Sequence, residues 1–240
     1  MFAFAYGIAA YLFFLATFLY MVGFTGGFVV TKTIDGGAAG PVGEAVAANL
    51  ALLGLFAVQH SVMARRSFKR WWTRIVPEAM ERSTFVLAAT LALALLVWKW
   101  QPIPEPVVWT VEGAAATAMW IVFWIGWAVL LFSTLLIDHL ALFGLRQAVS
   151  PLLREPVPEP EFRTPSLYRY VRHPLYFGFV LTFWSVPTMT AGHLLFSAGG
   201  TAYILVGIWF EERDLIHQFG DTYRKYRAEV AMLLPWRKLN

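Results

Sequence analysis

The 240-residue chain contains no cysteine. That absence excludes disulfides, thiolate metal sites and a cysteine nucleophile. Charge is also scarce, with Asp, Glu, Lys and Arg at 14% against 58% hydrophobic residues, leaving little polar surface to cover a soluble globule. The five histidines never fall at the i, i+4 spacing of a helical metal pair, so no metal is expected. The first apolar stretch lacks a basic leader and a small-residue cleavage site, and is too long for a signal peptide. It is therefore expected to stay as a helix. No inverted repeat is visible, which argues against a transporter built from two mirrored halves.

Long apolar runs are abundant. Mean hydropathy is +0.58 and aromatic content 17%. Five stretches, 4–30, 45–63, 83–100, 114–137 and 191–210, are long enough, or nearly so, to cross a hydrocarbon core of roughly 30 Å at about 1.5 Å per helical residue. A sixth, 175–187, is too short to cross alone and is closed by Pro187, so it reads as half of a hairpin with the stretch that follows. The fold expected is all-α: a polytopic membrane protein of five to six helices ending in a helical hairpin.

Basic residues orient such a chain, because Lys and Arg are retained on the cytoplasmic side of short loops. The connections 31–44 and 99–113 hold one each, Lys32 and Lys99, whereas 64–82 holds six, 138–174 five and the tail after Phe210 six. Seventeen of nineteen face one side, taken as cytoplasmic together with both termini. Topology and contact with anionic lipid account for the net charge of +4, and no nucleic-acid partner is needed.

The chain changes character near residue 138. Residues 1–137 read as membrane helices with short loops, and 138–240 alternate charged and aromatic clusters around the hairpin, so chemistry is expected in this second part. The stretch 154–165 is a proline-rich loop. Thr164 and Pro165 fit an N-cap and first helical residue of a short helix through Val171, ended before Pro174. Arg172 and His173 then precede Pro174, Tyr176 and Gly178, with Pro174 opening a new helix. A helix N-terminus beside a guanidinium suits a carboxylate or phosphate. The same residues also suit plain interfacial anchoring by a snorkelling arginine, a histidine and a tyrosine.

Where the hairpin returns, Glu211, Glu212 and Asp214 surround Arg213 directly after an apolar run. Acids at a membrane helix end face a polar cavity or a partner. One is expected either to neutralise Arg172 or Arg169, or to bind a ligand ammonium. Gly220 reads as a helix C-cap and Asp221 as the N-cap of a terminal helix carrying Tyr223 and Tyr226. Those tyrosines, beside Arg224, Lys225 and Arg227, fit a membrane-surface stripe equally well.

The sequence R-H-P-L-Y-F-G at 172–178, followed by Glu211-Glu212, F-G-x-x-Y-x-x-Y at 219–226 and L-L-P at 233–235, resembles the membrane methyltransferases. That superfamily includes isoprenylcysteine carboxyl methyltransferase and the phospholipid methyltransferases. Further stretches, V-Q-H-S-V-M-A-R at 58–65, F-K-R-W-W-T-R-I-V-P at 68–77, L-I-D-H-L-A-L-F-G-L-R-Q at 136–147 and P-T-M-T-A-G-H-L-L-F at 187–196, are similar to the bacterial methanethiol S-methyltransferases.

The resemblance implies methylation of methanethiol to dimethyl sulfide with S-adenosylmethionine held by the C-terminal hairpin, in the bacterial inner membrane with its entrance on the cytoplasmic side. It implies cofactor binding at Arg172, His173, Tyr176, Gly178, Glu211 and Glu212, and at Tyr223 and Tyr226. Ala231 departs from the family's V-P-M-L-L-P ending and implies a more flexible last turn. A lipid-directed methyltransferase and a non-enzymatic channel or transporter are the other readings.

A thiolate attacking a sulfonium methyl group neutralises two charges, so a dry site favours the reaction. Thiols are mostly protonated at neutral pH, and a base or cation near sulfur helps. His60, Asp138 and His139, expected at one level near the cytoplasmic side, are the candidates, with Asp138 orienting a histidine or Arg146. His193 is expected farther from the entrance. Each histidine equally suits a hydrogen bond between helices.

Overall fold

The computed structural model describes residues 1–154 and 161–235; half of the expected 154–165 loop lies outside them. The described residues are almost entirely helical, and five helices are long and apolar enough to cross a membrane: α1 (Phe2–Gly26), α2 (Val42–Ala64), α4 (Glu78–Lys99), α5 (Gly113–Ile137) and α9 (Ala191–Phe219). The protein is an all-α polytopic membrane protein. Short helices α3 (Arg66–Trp72), α6 (His139–Leu142), α7 (Leu145–Leu153), α8 (Pro174–Trp184) and α10 (Asp221–Glu229) complete it, with two brief strands, β1 (Val107–Thr110) and β2 (Thr188–Thr190).

Two compact units are formed from separated stretches. The first comprises Met1–Val108, 139–154 and Met189–Phe196. Here α4 packs on α1 and α2, and α7 on α1 and α4. Small residues set these approaches: a Cβ on Gly7 would fall 2.6 Å from the Ala148 Cβ, and one on Gly144 2.7 Å from the Ser83 nitrogen. Gly144 also has φ +83°, a left-handed conformation suited to glycine, so it turns α6 into α7 directly against the start of α4. At the other end, fully buried Asn49 donates to the Gln101 carbonyl and accepts from the Gln101 N–H, both at 2.8 Å. Trp100 packs edge-on against Phe24 and Phe196.

The second unit comprises Trp109–Asp138, 161–188 and 197–235. Its α5 and α8 meet backbone to backbone. A Cβ on Gly126 would lie 2.8 Å from the Gly178 carbonyl, and one on Gly178 2.7 Å from the Gly126 carbonyl. Trp127 packs on Phe179 beside this crossing. The Ser197 hydroxyl donates to the Phe183 carbonyl at 2.7 Å, and the Trp184 indole to the Thr201 hydroxyl at 2.9 Å, tying α8 to α9.

Two local expectations change, the helix before Pro174 and the N-cap of the last helix. The helix anticipated from Thr164 to Val171 is a four-residue 3₁₀ turn, Ser166–Arg169, entered from an extended Pro165 and a Ser166 with φ +44°. The two flanking prolines leave no room for an α-helical run. Helix α9 continues nine residues beyond its apolar part, because its acidic residues find partners rather than ending the helix. Gly220, with φ +56°, closes α9 as expected, its N–H donating to the Ile216 carbonyl at 2.9 Å, and it is also the N-cap of α10, so Asp221 is the first helical residue, where a negative charge still favours the helix dipole.

Candidate active site in the C-terminal unit

Pro174 opens α8, as its fixed φ and missing N–H favour, with His173 non-helical at the N-cap (φ −128°, ψ 63°). The free N–H groups of Arg172 and His173 are taken by the chain's end: they donate to the carbonyls of Ala231 (2.9 Å) and Met232 (3.2 Å). Ala231 also bridges to Val171. The departure at Ala231 therefore lies in a segment pinned by main-chain bonds, which corrects the expected flexibility.

The side chains form a closed ionic lock. Arg172 Nε donates to Glu212 Oε1 at 2.7 Å, and both side chains are under a tenth exposed. Arg172 Nη1 donates to the carbonyls of Arg227 and Val230. Glu212 also meets His173 Nε2 at 3.2 Å through Oε1 and Arg227 Nε at 2.9 Å through Oε2. Of the two roles the sequence left to the acids, counter-charge to Arg172 is the one Glu212 fills. Arg172 itself makes three hydrogen bonds to the protein, through Nε and Nη1. Arg227 belongs to the lock although the sequence suggested only a surface stripe. Its position six residues after Asp221 carried no signal, because its partner lies on another helix.

Glu211, the adjacent acid, points elsewhere, as residues one apart on a helix must. It interacts with the nearby Tyr176 hydroxyl, and its Oε2 lies 3.7 Å from His173 Nδ1, beyond hydrogen-bond reach. That Oε2 is buried and has no hydrogen-bond partner among the described residues. Tyr223 is likewise 2% exposed with a buried hydroxyl lacking a partner. Burial, and then the negative charge of Glu212, pushes its phenol far up, so it stays a neutral donor. Tyr226 is pushed up to about 12, chiefly by burial, and donates to the Tyr168 carbonyl at 2.5 Å. Phe162 packs on Phe219, Tyr223 and Tyr226, so the stretch after the loop seals this face of α10.

Gly178 stands at the α5–α8 crossing, where its missing Cβ is needed for helix contact. The lock thus leaves one anionic acceptor, Glu211 Oε2, and one neutral donor, Tyr223 Oη. The Tyr223 hydroxyl, on a side chain 2% exposed, costs free energy until a partner meets it, whereas the Glu211 side chain is 43% exposed and remains partly hydrated. A ligand with an ammonium and a hydrogen-bond acceptor fits.

The remaining candidates divide between the units. His60 lies on α2 with its ring centroid 4.9 Å from that of Phe85. His139 opens α6, its Nε2 2.9 Å from the Tyr11 hydroxyl and its ring 4.7 Å from Phe143. Arg146 is the second residue of α7. All three are in the first unit. Asp138 caps α5 in the second, its N–H donating to the Thr134 carbonyl at 3.3 Å. His193 is buried in the first turn of α9, its N–H capped by the Thr190 hydroxyl at 3.0 Å. Among the described residues no group of three His, Asp or Glu is arranged to hold a metal.

Comparison with known proteins gives consistent matches. The family described as NnrU protein matches residues 49–234. The chain is 56% identical over 232 residues to methanethiol S-methyltransferase of Mycobacterium tuberculosis, covering 96% of this chain and 95% of that protein. It is 54% identical over 237 residues to methanethiol S-methyltransferase 1 of Bradyrhizobium diazoefficiens, covering 98% and 83%. It is 48% identical over 234 residues to the Pseudomonas enzyme of the same name, covering 97% and 89%. No solved structure matches.

Proposed function

The chain belongs to the NnrU protein family and, within it, to the methanethiol S-methyltransferases, and from that premise we propose that it transfers a methyl group from S-adenosylmethionine to methanethiol, releasing dimethyl sulfide. The observation that carries the cofactor assignment is the pair of Glu211 Oε2 and Tyr223 Oη, neither with a hydrogen-bond partner among the described residues, beside the Arg172–Glu212 ion pair. In this reading Glu211 takes the ammonium of the cofactor's amino-acid end, Tyr223 donates to an acceptor on it, and Tyr176 orients Glu211. Arg172, His173, Glu212 and Tyr226 hold these groups in place, and Gly178 lets α8 seat against α5. S-adenosylmethionine supplies an electrophilic sulfonium methyl group.

Balance fixes what the protein must do. The sulfonium carbon–sulfur bond breaks, its electron pair stays on the departing thioether, and the substrate sulfur forms the new bond and loses its proton. Charge disappears in the step, so a dry setting favours it. The proton leaves by one of two routes. Either an imidazole, His60 or His139, takes it, with Asp138 orienting a histidine or Arg146, or sulfur enters already ionised.

The charge distribution supports a bacterial inner-membrane location with the C-terminus and the entrance on the cytoplasmic side. The test is purified protein supplied with methanethiol and methyl-labelled S-adenosylmethionine, with headspace gas and extracted lipid both analysed. Labelled dimethyl sulfide is expected. Label in lipid without dimethyl sulfide would replace the thiol acceptor with a lipid one.

A further inference from the structure

Between α2 and α4 the chain forms a short helix of its own. Arg65 is extended (φ −71°, ψ 141°) and breaks the helix there, so α3 (Arg66–Trp72) is not a continuation of α2. Both flanking helices are long and apolar enough to cross a membrane, and only residues 65–77 join the end of one to the start of the other. A connection that short keeps α3 at the bilayer surface. Residues 65–77 also hold five basic residues and no acid.

The side chains of α3 are sorted for that level. Each helical residue is turned by about 100° from the last, which sets Arg66, Lys69 and Arg70 on one side and Phe68, Trp71 and Trp72 on the other. The three aromatic rings pack on one another, with centroids 5.4–5.8 Å apart. The chain keeps turning past α3, because the Thr73 N–H donates to the Lys69 carbonyl and the Val76 N–H to the Trp72 carbonyl, both at 2.9 Å. Arg74 therefore follows Arg70, and Ile75 follows Trp71, one turn on. Arg66, Arg70 and Arg74 are exposed. Trp71 is 50% and Ile75 64% exposed, so the protein leaves this apolar stripe uncovered beside the basic one. At a bilayer surface both stripes find a partner: an indole and an aliphatic side chain enter the acyl boundary, and guanidinium groups stay at headgroup level.

We propose that α3 and the turn to Ile75 form a docking site for anionic phospholipid, with Arg70 and Arg74 on headgroup phosphates and Trp71 and Ile75 in the acyl boundary beneath them. A guanidinium suits this role because its forked donors match two oxygens of a phosphate. The excess of positive charge selects a headgroup with net negative charge over a zwitterionic one. This role is separate from methyl transfer, and its test needs no turnover.

The test titrates detergent-solubilised wild type, Arg70→Gln/Arg74→Gln and Arg224→Gln/Lys225→Gln with phosphatidylglycerol or phosphatidylcholine, counting bound lipid by native mass spectrometry. The thermal midpoint without added lipid proves folding, and the single variants Arg70→Gln and Arg74→Gln carry the same test if the double variant does not fold. Wild type is expected to favour phosphatidylglycerol. Arg70→Gln/Arg74→Gln is expected to bind it roughly 25-fold more weakly, about fivefold for each charge lost, with phosphatidylcholine binding unchanged. Trp71→Ala is expected to weaken both lipids alike. Equal affinity of wild type for the two lipids, a wild-type preference in Arg70→Gln/Arg74→Gln, or the same loss in the α10 variant would each overturn the site. Loss of self-association in the α3 variant with lipid preference intact would also overturn it and mark a protein contact instead.

Discussion

Arg172 Nε and Glu212 Oε1, forty residues apart in sequence, stand 2.7 Å apart with both side chains under a tenth exposed. Removing either partner strands the other charge in a buried setting, a loss of about 3–5 kcal/mol. Arg172→Ala and Glu212→Ala are each expected to lower the thermal midpoint of unfolding in detergent strongly. The double variant Arg172→Met/Glu212→Leu should be less destabilised than the two losses added. Additive losses would show that the two side chains do not act as a pair.

Glu211 is expected to behave differently from its neighbour. Glu211→Gln removes the charge and leaves the lock intact, so folding stability should hold while S-adenosylmethionine affinity falls roughly tenfold or more, about 1.5–3 kcal/mol for a charge-assisted bond. Tyr223→Phe removes a hydroxyl that has no hydrogen-bond partner among the described residues, so stability should be unchanged or slightly higher and cofactor affinity a few-fold lower. Calorimetric titration on folded protein checks both; unchanged affinity in the two variants would remove these residues from the cofactor site.

Gly178 should answer to packing. An alanine Cβ there would lie 2.7 Å from the Gly126 carbonyl oxygen and 2.8 Å from the Leu130 nitrogen, and overpacking of this kind costs about 1–3 kcal/mol. Gly178→Ala is expected to lower the unfolding midpoint, with cofactor affinity in the surviving folded fraction near that of wild type. A stable protein with lost affinity would instead place Gly178 against the ligand.

Asp35 lies outside the membrane-spanning helices and accepts the Thr190 hydroxyl bond. Burial raises its carboxyl above the usual 3.8, and the bond to Thr190 only partly opposes this. The folded state therefore binds the proton more tightly than the unfolded chain. Its contribution to stability is greatest below the unfolded pKa and is lost as pH rises through the raised folded value. Asp35→Asn, which does not titrate, is expected to be more stable than wild type at pH 7, with the advantage vanishing toward pH 3. A difference independent of pH in melting curves would contradict this.

Much of the fold was legible in the residues themselves. Apolar runs too long for a soluble core can only be helices in lipid, since every backbone group must be satisfied within its own segment, and α5 (Gly113–Ile137) begins one residue from its expected start. Pro174 fixed the start of α8 for an equally local reason. The 3₁₀ turn at Ser166–Arg169 was missed because Thr164–Pro165 carries the local signature of a helix start, which the flanking prolines override.

The candidate site was legible as a set of residue types and not as a set of partners. Sequence by itself determined the membrane helices, the RHP turn and the paired acids, because periodicity, proline geometry and charge scarcity act over a few residues. Only tertiary structure decided that Glu212 closes on Arg172, His173 and Arg227 while Glu211 keeps a buried oxygen open. It also decided that Arg82, one more basic residue in a topology count, donates to the Leu142 carbonyl and lies against Phe85. Pairing between charges depends on which helices meet and at what rotation, and a one-residue step along α9 turns a side chain by about 100°.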